Sequence, residues 1–300
     1  MEINKVAVLG CGIMGRFIAG AVAGAGIPTI IFKMTQEDKL GEVREKFYKG
    51  LDKEKQDVVQ KNLSWYPWAY RVQDIKDCDL VIEAIPEKLS EKQELFKEIS
   101  LLIRPNTILA SNTSTLSVAD LAKEVIFPER FIGMHFFNPP AVAKLVEVVQ
   151  TRTVDPGVVE EVQSFVRKLG LIPLVVADTP GFVVNRLMMN DLIYAILCLE
   201  NKLAKMENMD MRKFALVHPM GPFELCDHIG LDTVFSMATI LHKDLQDDRF
   251  KPPRLLRRLV ENHMLGKKSK LGFYDYTAKP KHPNPEVSEL INLDKGSLAW

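Results

Sequence analysis

Net charge is missing from this chain: 39 lysines and arginines are matched by 39 aspartates and glutamates over 300 residues. A neutral surface offers no electrostatic footprint for nucleic acid and no polybasic anchor for a membrane, so neither partner is expected. Cysteine is scarce. The four thiols, Cys11, Cys78, Cys198 and Cys226, stand too far apart for a zinc knuckle or a redox pair, which leaves no metal site to expect and points to a reducing, cytoplasmic setting. Internal repeats and low-complexity tracts are also missing. So is an unbroken apolar span, although residues 6–32 hold a single charged side chain, Arg16. Six glycines and Pro28 interrupt that stretch and its ends are β-branched, so it reads as strand, turn and helix, not as a signal peptide or membrane span. What is present is a globular composition, 47% hydrophobic, long enough for one large or two ordinary domains.

Short, largely uncharged apolar runs at residues 5–9, 29–32, 79–84, 107–110, 131–135, 145–149 and 172–176 have the character of strands covered on both faces. Between them lie helical patterns, such as residues 90–103 with Leu95, Phe96, Ile99, Leu102 and Ile103 at helical spacing, and residues 156–169, which open on a proline. Strand and helix in alternation predict parallel βαβ units. The charged stretch 37–62 is expected to be a mostly solvated helical arm. After Asp178-Thr179-Pro180-Gly181 no strand-like run appears, and a long helix is expected to start at that Pro-Gly. The expected division is therefore residues 1–180 and an all-α domain over residues 181–300, with the proline-rich stretch 279–285 as a tail or surface loop.

Gly10-Cys11-Gly12-Ile13-Met14-Gly15 follows the first strand and opens an Ala/Gly-rich helix, the context a dinucleotide fingerprint requires. Gly10, Gly12 and Gly15 let the backbone turn tightly and approach a pyrophosphate at the positive helix end, with Ile13 and Met14 beside it. The first 180 residues are thus expected to form an α/β Rossmann-type domain with a mainly parallel sheet. An acid normally ends the second strand and bonds the ribose hydroxyls of NAD. Here that place is held by Lys33, and no carboxylate follows until Glu37.

Six ordered blocks then carry a family resemblance: Val81-Ile82-Glu83-Ala84-Ile85-Pro86-Glu87, Ala110-Ser111-Asn112-Thr113-Ser114, Gly133-Met134-His135-Phe136-Phe137-Asn138-Pro139-Pro140, Leu145-Val146-Glu147-Val148, Asp178-Thr179-Pro180-Gly181-Phe182-Val183-Val184-Asn185-Arg186 and Gly221-Pro222-Phe223-Glu224-Leu225. With them the chain resembles the 3-hydroxyacyl-CoA dehydrogenase family from Lys5 to Tyr276. The resemblance implies hydride transfer between a nicotinamide dinucleotide and a 3-hydroxyacyl-CoA/3-ketoacyl-CoA pair, usually on the (3S) hydroxyl and here expected to be short-chain. It also implies a homodimer through the helical domain, which serves as the substrate-binding half.

Oxidising a secondary alcohol requires its proton to leave, and a neutral imidazole suits that task. His135, at the carboxyl end of an expected strand, is the candidate base, and Glu147 in the next run is placed to fix its tautomer. Ser114 is either a helix N-cap or, as the resemblance implies, a contact to the reacting oxygen. Asn185 is either a structural amide or a donor to the thioester carbonyl. The resemblance puts Glu87 near the nicotinamide ribose, where a helix-entry acid is the other reading, and Asn112 at the cofactor. Its default cofactor is NAD, while Lys33 tilts the expectation towards NADP or dual use. Departures lie elsewhere. Residues 35–76 look shorter than the arm that meets CoA in relatives, and the run Trp65-Tyr66-Pro67-Trp68-Ala69-Tyr70 reads as local packing more readily than as an adenine platform. A dehydrogenase of a non-CoA hydroxy acid, or a non-catalytic nucleotide-binding relative, are the alternatives.

Overall fold

The computed structural model describes residues 2–33, 39–68, 72–137, 144–211 and 219–293. Glu37, Ala69, Tyr70 and the Asn138-Pro139-Pro140 end of one family block lie outside them. The chain divides after Phe182 into two compact units.

In the first unit eight strands form one sheet in the order β3-β2-β1-β4-β5-β6-β7-β8. They are β1 (Val6–Leu9), β2 (Thr29–Lys33), β3 (Leu63–Pro67), β4 (Leu80–Glu83), β5 (Ile108–Ser111), β6 (Phe131–Phe136), β7 (Leu145–Gln150) and β8 (Ile172–Ala177). All neighbours pair in parallel except β6 and β7. The two-residue period divides the core. Val6 and Val8 pack with Ile18 and Val22 of the helix Ile13–Gly24 and with Val162 and Val166 of the helix Pro156–Lys168. Ala7 and Leu9 pack on the other face with Leu95, Phe96 and Ile99 of the helix Leu89–Ser100. Pro156 at the first helical position and Asp155, which accepts from the Gly157 N–H at 2.7 Å, start the Pro156–Lys168 helix where the sequence places it.

The charged arm forms the helices Leu40–Lys49 and Lys53–Asn62 and is mostly solvated, as expected: over residues 39–62 only Val59 is buried, while Phe47 is set so close to Gly20 that a Cβ there would lie 2.9 Å from the ring. The next segment departs from expectation. The aromatic run is partly strand, since β3 adds to the edge of the sheet beside β2, with Leu63 and Trp65 buried and Ser64 exposed. The packing reading of its rings holds: Trp65 Nε1 donates to Tyr48 Oη at 3.1 Å, and Trp68 meets Phe32 edge-on at 5.5 Å.

The second unit is built on the helix Val184–Glu200, against which Pro222–Ile229, Leu231–Leu245 and Arg254–Glu261 pack through Phe223, Val234, Leu256 and Leu259. This helix starts later than the Pro-Gly: Gly181 and Phe182 both take positive φ, +70° and +45°, and Phe182 joins the core of the first unit. The unit is not wholly helical either. Tyr274–Asp275 and His282–Pro283 pair as a short antiparallel ribbon, which draws residues 279–285 into the fold, and Asn284 caps the helix Pro285–Asn292.

Two buried aspartates hold this unit's loops. Asp227 accepts from the Phe273 and Tyr274 N–H groups at 2.9 Å and from Tyr276 Oη at 3.1 Å. Asp210 accepts from the Phe223 N–H at 2.9 Å and from Tyr274 Oη at 2.7 Å. Gly272 passes so close to Asp227 that no side chain fits there. Burial pushes the Asp227 carboxyl up to about 6, against the pull of these donors and of Lys281. The folded state then holds a proton that the unfolded chain releases near pH 4, so stability falls as pH rises from about 4 to 6, by on the order of 2–3 kcal/mol, and is level above. Asp227→Asn should abolish that slope and lower stability by about 1–3 kcal/mol, because its amide N–H faces other donors. Thermal melts between pH 4 and 8 check both outcomes; an unchanged slope in the variant would remove Asp227 as its source.

Candidate active site

Strands β1 and β4 are neighbours, yet the chain continues from β1 to β2 on one side and from β4 to β5 on the other. The loops beyond their carboxyl ends therefore part and leave a crevice. A cleft of ≈ 760 Å³ opens there. Gly10, Cys11, Gly12, Ile13 and Met14 form one side of it, and Lys33, Glu87, Asn112, Ser114 and His135 are also on its wall. Gly15 and Glu147 stand behind that wall, and Asn185 lies in the first turn of the helix Val184–Glu200 in the other unit.

The three glycines of the loop answer different constraints. Gly10 has φ +106° and passes so near β4 that a Cβ would lie 2.6 Å from the Ala84 carbonyl oxygen. Gly15 is packed directly against Gly10. Among the described residues no protein atom lies within 4 Å of where a Cβ on Gly12 would be, so the space beside it is open to a bound group. Gly12 caps the helix Ile13–Gly24 without any side-chain acceptor and with no acid in the first turn. Open N–H groups at a helix start, next to backbone without side chains, fit the pyrophosphate of a dinucleotide.

The antiparallel step from β6 to β7 makes the next feature. In an in-register parallel pair the fifth residue of β6 and the third of β7 would stand two positions out of step. Here His135 and Glu147 are register partners. His135 Nδ1 lies 2.8 Å from Glu147 Oε2, with both side chains buried. A carboxylate only accepts, so this contact keeps the proton on Nδ1 and leaves the Nε2 lone pair as the basic site. The ring is held further by Phe137 and Phe182, at centroid distances of 4.3 and 5.8 Å. Asn112 sets the end of β6: its Oδ1 accepts from the Phe136 N–H at 2.9 Å.

Residues that sequence reasoning passed over join the wall. Lys92, buried in the helix Leu89–Ser100, places its ammonium between Glu83, at 2.9 Å, and Glu87, at 2.8 Å. Glu87 Oε1 accepts from Thr113 Oγ1 at 2.5 Å and from the Ser114 and Thr115 N–H groups at 2.8 and 3.0 Å. Burial alone would raise the Glu87 carboxyl, but Lys92 and these donors outweigh it and hold it at about 2. The N-cap of the helix Val118–Ala122 is Ser117, not Ser114. The available signal was Glu83 itself, a charge inside an otherwise apolar strand.

Residues 5–179 match the family described as 3-hydroxyacyl-CoA dehydrogenase, NAD binding domain, and residues 181–276 match the 3-hydroxyacyl-CoA dehydrogenase C-terminal domain. The chain belongs to the 3-hydroxyacyl-CoA dehydrogenase family. It is 39% identical over 285 residues to a probable 3-hydroxybutyryl-CoA dehydrogenase of Bacillus subtilis, covering 93% of this chain and 99% of that one. Identity to the mitochondrial hydroxyacyl-coenzyme A dehydrogenase of Sus scrofa is 37% over 287 residues, with 91% of each covered. The crystal structure of (S)-3-hydroxybutyryl-CoA dehydrogenase from Ralstonia eutropha superposes with a TM-score of 0.85 at 31% identity, over 92% of this chain and 100% of that one. The family's NAD-binding half thus coincides with the unit that carries the glycine loop, and NAD(P) dependence follows.

Substitution separates the roles of Gly12 and Gly15. Gly12→Ala should weaken dinucleotide binding about tenfold or more while shifting the melting temperature by only a degree or two. Gly15→Ala should instead destabilise the unit by about 1–3 kcal/mol or more, because its Cβ meets backbone. Fluorescence titration with the reduced cofactor and thermal melts separate the two; equal effects in both would leave Gly12 without a ligand role.

Proposed function

We propose that this chain is a short-chain (3S)-3-hydroxyacyl-CoA dehydrogenase that interconverts 3-hydroxybutyryl-CoA and acetoacetyl-CoA. The observation that carries the reading is the buried His135–Glu147 pair beside the glycine loop. A nicotinamide held in this cleft would supply or accept the hydride. His135 Nε2 takes the hydroxyl proton as the alcohol is oxidised, and returns it to the ketone oxygen in the reverse direction. Glu147 holds the ring and stabilises the imidazolium once the proton has moved. Ser114 donates a hydrogen bond to the reacting oxygen, and Asn185 donates to the thioester carbonyl. Glu87 and Asn112, with Ile13 and Met14, line the dinucleotide's place. In this reading the first unit binds the dinucleotide and the second binds the acyl-CoA and mediates a homodimer. Val183, Leu187 and Tyr194, exposed along one side of the first long helix, support the dimer. Among the described residues no helix is long and apolar enough to cross a membrane, and all four cysteines are free thiols, as a cytoplasmic setting would leave them.

The assay is reduction of acetoacetyl-CoA with NADH and NADPH, beside a panel of free keto acids. His135→Ala should lower kcat by about 10²–10⁴-fold with dinucleotide affinity nearly intact. Turnover of the free acids alone would move the reading to a non-CoA hydroxy acid, and no turnover of either by folded protein would end the enzyme reading.

The cofactor is the finer question, and the reading of it rests on Lys33. Its side chain lies on the cleft wall at the end of β2 and is only 9% exposed. Arg16 stays near, with its Nε donating to the Gly12 carbonyl at 3.3 Å. Burial raises the Cys11 thiol, while Lys33 and then Arg16 pull it down, which places both cations beside the loop. A ribose 2′-phosphate meets cations there where an acid would repel it. The gain is about 1 kcal/mol, five- to tenfold in affinity, and favours NADP or dual use. Lys33→Asp should shift the NADPH/NADH ratio of kcat/KM towards NADH by about tenfold at low ionic strength. An unchanged ratio would show that Lys33 does not face the ribose.

A further inference from the structure

Glu83 is not among the residues of the cleft wall, yet it is as deeply buried beside it as Glu147. It closes β4, at the edge where the cleft opens, and its side chain is wholly buried. Oε1 accepts from the Ile85 N–H at 2.7 Å and lies 2.9 Å from Lys92 Nζ; Oε2 accepts from Ser111 Oγ at 2.6 Å and from Lys92 Nζ at 3.0 Å. The Lys92 ammonium and the Ile85 N–H can only donate, and with Ser111 Oγ they meet both oxygens of the carboxylate. Burial pushes its carboxyl up all the same, against Lys92, Ser111 and the Ile85 N–H. Stability alone is a poor account of such a group, because well-packed apolar residues commonly replace a buried ion pair without loss.

The contacts continue in one direction. Lys92, with its ammonium clasped by both oxygens of Glu83, offers its remaining reach to Glu87 Oε2. The other oxygen of Glu87 gathers Thr113 Oγ1 and the N–H groups of Ser114 and Thr115. Ser111, the fourth member, also accepts from the Thr113 N–H at 3.2 Å, which ties the same turn to Glu83 by a second route. The turn delivers Ser114 to the wall that His135 shares.

We propose that Glu83 is a positioning residue: through Lys92 and Ser111 it holds Glu87 and the turn 113–115, and with them Ser114, in the geometry the reaction uses. The inference deepens the dehydrogenase reading and rests on it for its kinetic arm. Without Glu83 the ammonium has one carboxylate instead of two, and a lysine on an otherwise apolar helix face must find a new rotamer. In Glu83→Gln the shape is kept, but whichever way the amide is turned its N–H₂ faces the Lys92 ammonium, which can only donate. Ser111→Ala removes a single donor and is the gentler variant should Glu83→Gln fold poorly.

Two readouts test it. In hydrogen exchange of the full-length protein, Glu83→Gln or Ser111→Ala should speed exchange in residues 112–117 about tenfold while the strands β1 and β5 keep their protection. In acetoacetyl-CoA reduction, Glu83→Gln should lower kcat about tenfold or more and change KM for the dinucleotide far less. In a Ser114→Ala background the same substitution should cost less than about threefold, since the group it positions is gone. An equal cost in both backgrounds, unchanged exchange at 112–117, or faster exchange spread evenly over the sheet would each overturn the proposal. Local exchange effects in a parent that turns over no CoA ester would sink the substrate reading and support the positioning one.

Discussion

A carboxylate withdrawn from water must be met, oxygen by oxygen, by donors, and both units of this chain are organised around that demand. Glu83, Glu147, Asp210 and Asp227 are all buried. In the second unit the two aspartates gather backbone N–H groups and tyrosine hydroxyls from segments far apart in sequence, and so fasten loops that have little regular structure of their own. In the first unit the same demand shapes the cleft. Glu147 meets an imidazole and fixes its orientation, while Glu83 meets an ammonium that has a second carboxylate to serve. The chemistry of the site is thus an extension of how the chain tolerates its own buried charge.

Much of this was legible in the residues. Strands covered on both faces must be apolar throughout, so runs such as Val6-Ala7-Val8-Leu9 announce themselves, and the glycine loop is recognisable because a strand precedes it and a helix follows. The edge strand β3 escaped notice for a physical reason. It follows a charged helix without a break, alternates Leu63-Ser64-Trp65, and ends in proline, which only a sheet edge accepts. Phe182 was read as part of a helix because its hydrophobicity fits the helical pattern. Its positive φ, directly after that of Gly181, is invisible to periodicity.

The network behind the cleft was hidden more deeply. Lys92 sits among Glu91, Gln93 and Glu94 on a helix where charge normally means solvent, and nothing in its neighbours marks the one ammonium that points inward. Pairwise patterns along the chain do not reveal which polar side chains meet across strands. Only the sheet order, which sets β4 beside β5, brings Glu83 to Ser111.

The antiparallel β6–β7 pair makes strand register a determinant of chemistry. Side chains alternate between the two faces, so Val146 and Val148 enter one core cluster while Glu147 turns to the other face with Val149. Sliding β7 by a single residue would set a valine against the imidazole and drive a bare carboxylate among Met134, Phe136 and the Pro156–Lys168 helix, a state of high energy. The apolar residues flanking Glu147 therefore act as a gauge. They admit one alignment of the two strands, and a chain that folds at all folds with His135 and Glu147 already matched.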